Sequence, residues 1–426
     1  MLVLIATAGS PHLCNMNPTQ PNLPLIEPTA PTTVGGCAER LPASCAAIPA
    51  LSCTRSWLTL SFTPDLGPVA ARLLREHFGC ACAALRAPKP ALRAVLPVAV
   101  AQALASPDPR LETAIAQALA WSQVPGQHLL TLADPRYPPM IAALPDPPPV
   151  LYVRGDPEAL NRPAIALVGS RNATRDGLDI ARSVASAFAR TGIVIASGLA
   201  AGIDSAAHRG ALAAGGLTIG FIGTGADLIY PRAHHALAES VIAQGALVSE
   251  FPLGSPAVAH HFPRRNRLIA AQAAAVIVVQ AARHSGSLIT ARLAADLGRE
   301  VAAFPGSVHS ALSRGCHQLI RDGAALVEDA ADIAALLESA FARQGWQTKA
   351  LPVPLSRAPK ANLPALSESA SRLIASLGWS PVTHDALLQV SGLPGPQAAS
   401  ALIELELSGL VERLIDGRFQ RLGPAA

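Results

Sequence analysis

Lysine is nearly missing from this sequence: Lys89, Lys349 and Lys360 are its whole supply, so arginine carries almost all of the positive charge. The arginine fork meets phosphate oxygens in two directions, which suits a polyanionic partner, although a GC-rich genome produces the same bias. A strong excess of one charge is also missing. A formal net charge of +4 and a pI near 8.8 permit nucleic acid without demanding it. Aromatic residues are only 4% of the chain, which leaves few platforms for stacked bases. The cysteines (Cys14, Cys37, Cys45, Cys53, Cys80, Cys82, Cys316) are odd in number and lack matched ligand pairs, which argues against a disulfide framework and a zinc module and for a reducing cytoplasm. No run is long and apolar enough to span a bilayer, and the apolar opening Met1 to Ala8 is short and lacks a basic leader.

What is present divides a chain of 426 residues, more than one core usually organises, into several parts. Residues 1–53 carry repeated prolines and no sustained period, and are expected to be a disordered extension. Residues 54–135 turn helical and are expected to form a small domain of the SAM or helix-hairpin-helix kind. Tyr137-Pro138-Pro139 and Pro145 to Pro149 form a proline-rich bridge, expected to lie extended against the next domain. Over residues 136–340 short apolar runs alternate with glycine turns and amphipathic helices. The runs Ala164 to Val168, Ile193 to Ala196, Thr218 to Ile222, Ala246 to Ser249, Val276 to Val279 and Val301 to Phe304 read as strands buried on both faces. The expected fold is therefore α/β: an extended, Rossmann-like, doubly wound parallel sheet with its ligand site beyond the carboxyl ends of the strands. Residues 341–364 read as a linker, and 365–424 as three helices plus a ribbon around Asp416-Gly417, the pattern of a winged helix.

The candidate site residues lie at the ends of those strands. Gly169-Ser170-Arg171 puts a glycine, a hydroxyl and a guanidinium after the first strand, a set suited to phosphate. Ser197-Gly198 and Gly202 precede a helix start, where backbone N–H groups can cradle an anion; Asp204 is read as a helix cap. Gly223 and Gly225 supply a third loop at the same edge. Arg264, Arg265, Asn266 and Arg267 form the densest basic cluster, and Ser285-Gly286-Ser287 offers further donors. Taken singly, such glycines are packing devices more often than ligand sites; their convergence carries the reading. The third loop is not the GxGxxG fingerprint, and no acid closes the second strand to hold a ribose, so a nicotinamide cofactor is disfavoured and no cofactor is expected. The pairs His234-His235 and His260-His261 diverge in direction and lack a spaced carboxylate, so no metal is expected. No nucleophile, histidine and acid stand in a recognisable order.

These residues, together with Tyr230-Pro231, Ser249-Glu250, Phe262-Pro263, Leu268-Ile269, Thr290-Ala291, Pro305-Gly306 and Leu319-Ile320-Arg321, resemble the DNA-processing protein A (DprA, also called Smf) family of bacterial transformation proteins. The resemblance runs from Tyr137 to about Asp332, and the helical region and winged-helix-like tail also fit. It implies a non-enzymatic protein that dimerises, binds single-stranded DNA, displaces single-strand-binding protein and loads the RecA recombinase during natural transformation and homologous recombination. Carried over by position, the DNA grip falls on Arg171, Ser197-Gly198, Gly202, Arg265 and Arg267. One departure is visible: Gln280 stands where the family commonly has an acid.

The domain also resembles nucleotide phosphoribohydrolases, which share the sheet and glycine loops and place a carboxylate after one turn. Here that turn is Ser285-Gly286-Ser287, and Thr290 occupies the position where an acid would stabilise developing positive charge. A transcription regulator acting through the tail is disfavoured by the small number of cations there, Arg413, Arg418 and Arg421.

Overall fold

The computed structural model describes residues 50–343 and 366–422, apart from 107, 379–380 and 415. The expected extension, residues 1–53, lies outside the described residues up to 49, and residues 50–53 instead open the first helix; the expected linker, 341–364, lies outside them from 344, and residues 341–343 instead end a helix.

Six helices open the described chain: α1 (Ala50–Phe62), α2 (Pro68–Phe78), α3 (Ala81–Arg86), α4 (Lys89–Arg93), α5 (Val98–Ala105) and α6 (Pro109–Trp121). Prolines start several of them, where a missing N–H costs nothing. Their apolar faces supply Trp57, Leu74 and Ile115 to the same buried cluster that contains Ala166 and Val276 of the sheet. These helices therefore share a core with the sheet.

The sheet is built from β1 (Gln127–Thr131), β2 (Val150–Gly155), β3 (Ala164–Val168), β4 (Val194–Ser197), β5 (Thr218–Phe221), β6 (Gly245–Ser249), β7 (Ala275–Val278), β8 (Glu300–Ala303) and β9 (Ala325–Leu326). Their order is β1-β2-β6-β5-β4-β3-β7-β8-β9. All six expected strands form, with ends displaced by a residue or so, and they pair in parallel. Three strands were not anticipated. β1 and β2 pair antiparallel with each other, and β2 runs antiparallel to β6, so one end of the parallel sheet is mixed. β1 also lies ahead of residue 136, where the sequence places the start of this domain. The proline bridge between them is not wholly extended: Pro139–Ala142 make one helical turn, α7, and Tyr137 Oη donates to Pro148 O at 2.8 Å.

Between the strands run α8 (Arg175–Ala189), α9 (Ile203–Ala213), α10 (His235–Ala243), α11 (His261–Gln272), α12 (Ser287–Asp296), α13 (Arg314–Arg321) and α14 (Ala330–Arg343). Helices α8, α9 and α14 bury Phe188, Ile203 and Phe341 against one face; α11 and α12 bury Leu268 and Ala291 in the cluster on the other. The Thr174 hydroxyl caps α8 by accepting from Gly177 N at 3.2 Å, a contact worth about 1 kcal/mol. From β3 the chain winds to β4, β5 and β6 on one side and resumes with β7 and β8 on the other. The crevice beyond the carboxyl ends of β3 and β7 is thus the topological switch point.

The tail holds α15 (Glu368–Ser376), α16 (His384–Ser391) and α17 (Gly395–Leu407), followed by the ribbon β10 (Val411–Arg413) and β11 (Phe419–Arg421). Val382 adds a bridge to Phe419, and Leu373, Leu387 and Leu405 fill a core of their own. This is the expected three-helix and ribbon arrangement.

Candidate nucleic-acid interface

A cavity of about 1050 Å³ opens at the switch point between the loops that follow β3 and β7. Of the candidate residues, Gly169, Ser170, Arg171, Arg265, Asn266, Ser285, Gly286 and Ser287 line it. Ser197, Gly198, Gly202, Gly223, Gly225, Arg264 and Arg267 do not appear on its wall.

The glycine loops are drawn together by packing. A methyl group on Gly202, which has φ +76°, would overlap the carbonyl of Ser170; one on Gly198 would overlap the Arg265 guanidinium; and Gly223 makes room for the Phe262 ring. Much of the backbone expected to cradle an anion is already engaged. Ser170 N donates to Gln280 O at 2.7 Å, Ile203 N at the start of α9 donates to Ser170 O at 3.1 Å, and Gly225 N donates to Ser255 O at 3.0 Å. Ser197 is buried, with its hydroxyl donating to Leu167 O at 2.6 Å. These amides and this hydroxyl are therefore committed within the protein, unlike the exposed side chains on the cavity wall.

Arg265 comes from the first turns of α11 and threads between the loops, where Nη1 donates to Phe221 O. It is 5% exposed, and burial pulls its guanidinium down to about 10, opposed by the charge of Asp204. It still carries its proton at neutral pH. Arg267 goes elsewhere. Its Nη2 donates to Glu250 Oε2 and its Nη1 to Asp146 O at 2.8 Å, so the cation expected in the grip is instead tied to a buried carboxylate and to the proline bridge. Arg264 joins the same carboxylate at 3.2 Å and lies over the Phe251 ring. Period explains the split: residues two apart on a helix face in different directions.

Arg171 is exposed on the cavity wall, with its guanidinium 5.7 Å from the centre of the Phe262 ring. Two exposed arginines absent from the sequence-based site, Arg283 and Arg314, line the same cavity. Arg283 follows β7 and Arg314 opens α13, a helix whose place beside this crevice only the sheet order reveals. Among the described residues none of these three forms an ion pair, whereas Arg264 and Arg267 both do. Asp204, read as a cap, is not one: Gly202 holds the N-cap position of α9 and no side chain caps it, whereas Asp204 lies in the first turn, lines the cavity and is the one acid on its wall; burial raises its carboxyl above the usual range, against the lowering effect of Arg265. Thr290 is on the wall as well. Gln280 secures α8: its Oε1 accepts from Thr174 N at 3.0 Å and its Nε2 donates to Thr174 Oγ1 at 2.8 Å.

Residues 128–338 match the family of DNA recombination-mediator protein A, and residues 357–417 match the DprA winged helix domain. Protein Smf of Escherichia coli is 38% identical over 320 residues, spanning 72% of this chain and 81% of that one. The chain belongs to the DprA/Smf family. A DNA processing protein DprA of Streptococcus pneumoniae is 41% identical over 208 residues, 49% of this chain and 73% of the relative. The X-ray structure of DprA from Streptococcus pneumoniae superposes with a TM-score of 0.59 at 32% identity, covering 66% of this chain and 97% of that one. The family assignment agrees with the Rossmann-like sheet and the winged-helix tail. Among the described residues no group of three histidines, cysteines or acids is placed to hold a metal, and no helix is long and apolar enough to cross a membrane.

Proposed function

We propose that the switch-point cavity grips single-stranded DNA by its phosphates, in a binding role without catalysis. One observation carries this reading: Arg171, Arg283 and Arg314 surround one cavity, exposed and without an ion-pair partner among the described residues. Three unneutralised guanidiniums around a concave polar site favour a polyanion, and their forks suit phosphate. Arg265 adds a buried charge at the base. The DprA/Smf membership supports the rest of the proposal: a cytoplasmic homodimer that protects incoming single strands, displaces single-strand-binding protein and loads RecA in transformation and recombination.

Anisotropy of a labelled oligonucleotide across a salt series tests the grip. Single strands are expected to bind more tightly than duplex, with log affinity falling against log salt by about 0.7 per phosphate contacted. Arg171→Ala, Arg283→Ala and Arg314→Ala should each flatten that slope. Unchanged affinity in all three variants would remove the cavity from consideration.

A further inference from the structure

Three cysteines meet in the helices ahead of the sheet. Cys53 comes from the start of α1, Cys80 and Cys82 flank the first residue of α3, and the three side chains pack together with Ala83. Cys80 and Cys82 are buried and Cys53 is half-buried, so an oxidant reaches the group through Cys53. Their arrangement does not suit a metal ion.

Hydrogen bonds divide their roles. The Cys80 sulfur accepts from Ala83 N at 3.3 Å and so caps α3. The Cys82 thiol donates to Ser56 Oγ at 3.3 Å. Ser56 lies three residues after Cys53, on the same face of α1, so Cys82 stands opposite the turn that carries Cys53. The side chains of Cys53 and Cys82 are within hydrogen-bonding reach of each other. Burial pushes the Cys53 thiol up to about 11, Cys82 and Cys80 add to the rise, and the Trp57 indole opposes it. Cys53 is therefore a protonated thiol at neutral pH, and its exchange with other sulfurs is slow.

We propose that Cys53 and Cys82 are a thiol pair that closes to a disulfide when the surrounding thiol–disulfide balance turns oxidising, stapling α1 to α3. The oxidant is a low-molecular-weight disulfide. The Cys53 thiolate attacks one of its sulfurs and releases one small thiol. The Cys82 thiolate then attacks the Cys53 sulfur of the mixed disulfide and releases the second. Two protein S–H bonds and one small S–S bond give way to one protein S–S bond and two small S–H bonds, the protons passing to the departing thiolates. The link closes a loop that contains the whole of α2, so it restrains the unfolded chain and resists separation of the first three helices.

Peptide mapping of the full-length chain, equilibrated in buffers of reduced and oxidised glutathione and then acid-quenched, alkylated and digested with trypsin, reads out the pairing. Oxidising buffer is expected to join the peptide Leu41–Arg55 to Glu76–Arg86, with fragmentation placing the bond between Cys53 and Cys82. Cys80→Ser should keep that link, and Cys53→Ser and Cys82→Ser should each lose it. The linked protein should show a higher urea midpoint than the reduced one. A glutathione adduct left standing on Cys53, a bond from Cys53 to Cys80 or Cys45 in place of Cys82, or a folded chain in which Cys53 stays reduced across the whole series overturns the proposal. Each of those results comes from the native protein and depends on no variant.

Discussion

Arg267 and Glu250 form a buried pair in which the guanidinium Nη2 donates to the carboxylate Oε2, and Arg264 reaches the same oxygen from the exposed side. Asp146 of the proline bridge accepts from Arg267 as well, through its carbonyl and its Oδ1. Removing one partner leaves the other charge buried. Arg267→Ala should therefore lose about 3–5 kcal/mol of stability, seen as a lower urea midpoint. The salt slope of DNA binding, measured where the variant remains folded, should match the native protein. A variant of native stability that has lost DNA affinity would return Arg267 to the grip.

Asp204 carries a stability cost at neutral pH. Burial raises its folded-state pKa above the ordinary 3.8, so the folded protein holds this proton more tightly than the unfolded chain does. Stability from this group is greatest at low pH, declines as pH rises from the unfolded value to the folded one, and stays lower beyond it. Asp204→Asn removes that ionisation. It should be more stable than the native protein at pH 7, with the gap narrowing toward acid pH, in thermal or urea unfolding. A variant less stable at pH 7 than at pH 4, relative to the native protein, would contradict the sign.

His208 gives the opposite dependence. The Thr218 hydroxyl donates to Ile195 O at 2.7 Å, so its oxygen can only accept from His208 Nδ1, also at 2.7 Å. The imidazole is therefore the Nδ1–H tautomer. Burial holds its pKa at about 3, well under the ordinary 6.5. The unfolded chain takes up a proton below 6.5 while the folded one does not, so this stabilisation is complete above 6.5 and is lost as pH falls toward 3, at up to about 1.4 kcal/mol per pH unit. Nitrogen NMR should show one protonated nitrogen, Nδ1, with shifts unchanged between pH 8 and 5. Titration near 6.5 would refute the assignment.

Much of the parallel sheet was legible because strands buried on both faces must read as short apolar runs, and Ala164–Val168 is such a run from end to end. β1 and β2 were not. Gln127–Thr131 begins with two polar residues, and Val150–Gly155 follows a proline cluster that draws the eye to extended coil. At the site, glycine spacing pointed to the edge of the sheet where the cavity opens but could not distinguish a glycine that leaves open space from one that admits Phe262 or Arg265. The arginine cluster was visible as charge, but its division between cavity and core depends on helical phase and on Glu250, a partner at the end of another strand. Arg283 and Arg314 join Arg171 only through the strand order.

Gln280 holds the loop from Ser170 to Thr174 at both ends: its carbonyl accepts from Ser170 N, and its side chain exchanges two hydrogen bonds with Thr174. Arg171 sits on the span between those two anchors. Its backbone is consequently set when the chain folds, before any ligand arrives. If the cavity grips a strand as proposed, the ordering entropy that a free loop would charge against each encounter is absent, which strengthens capture by this loop.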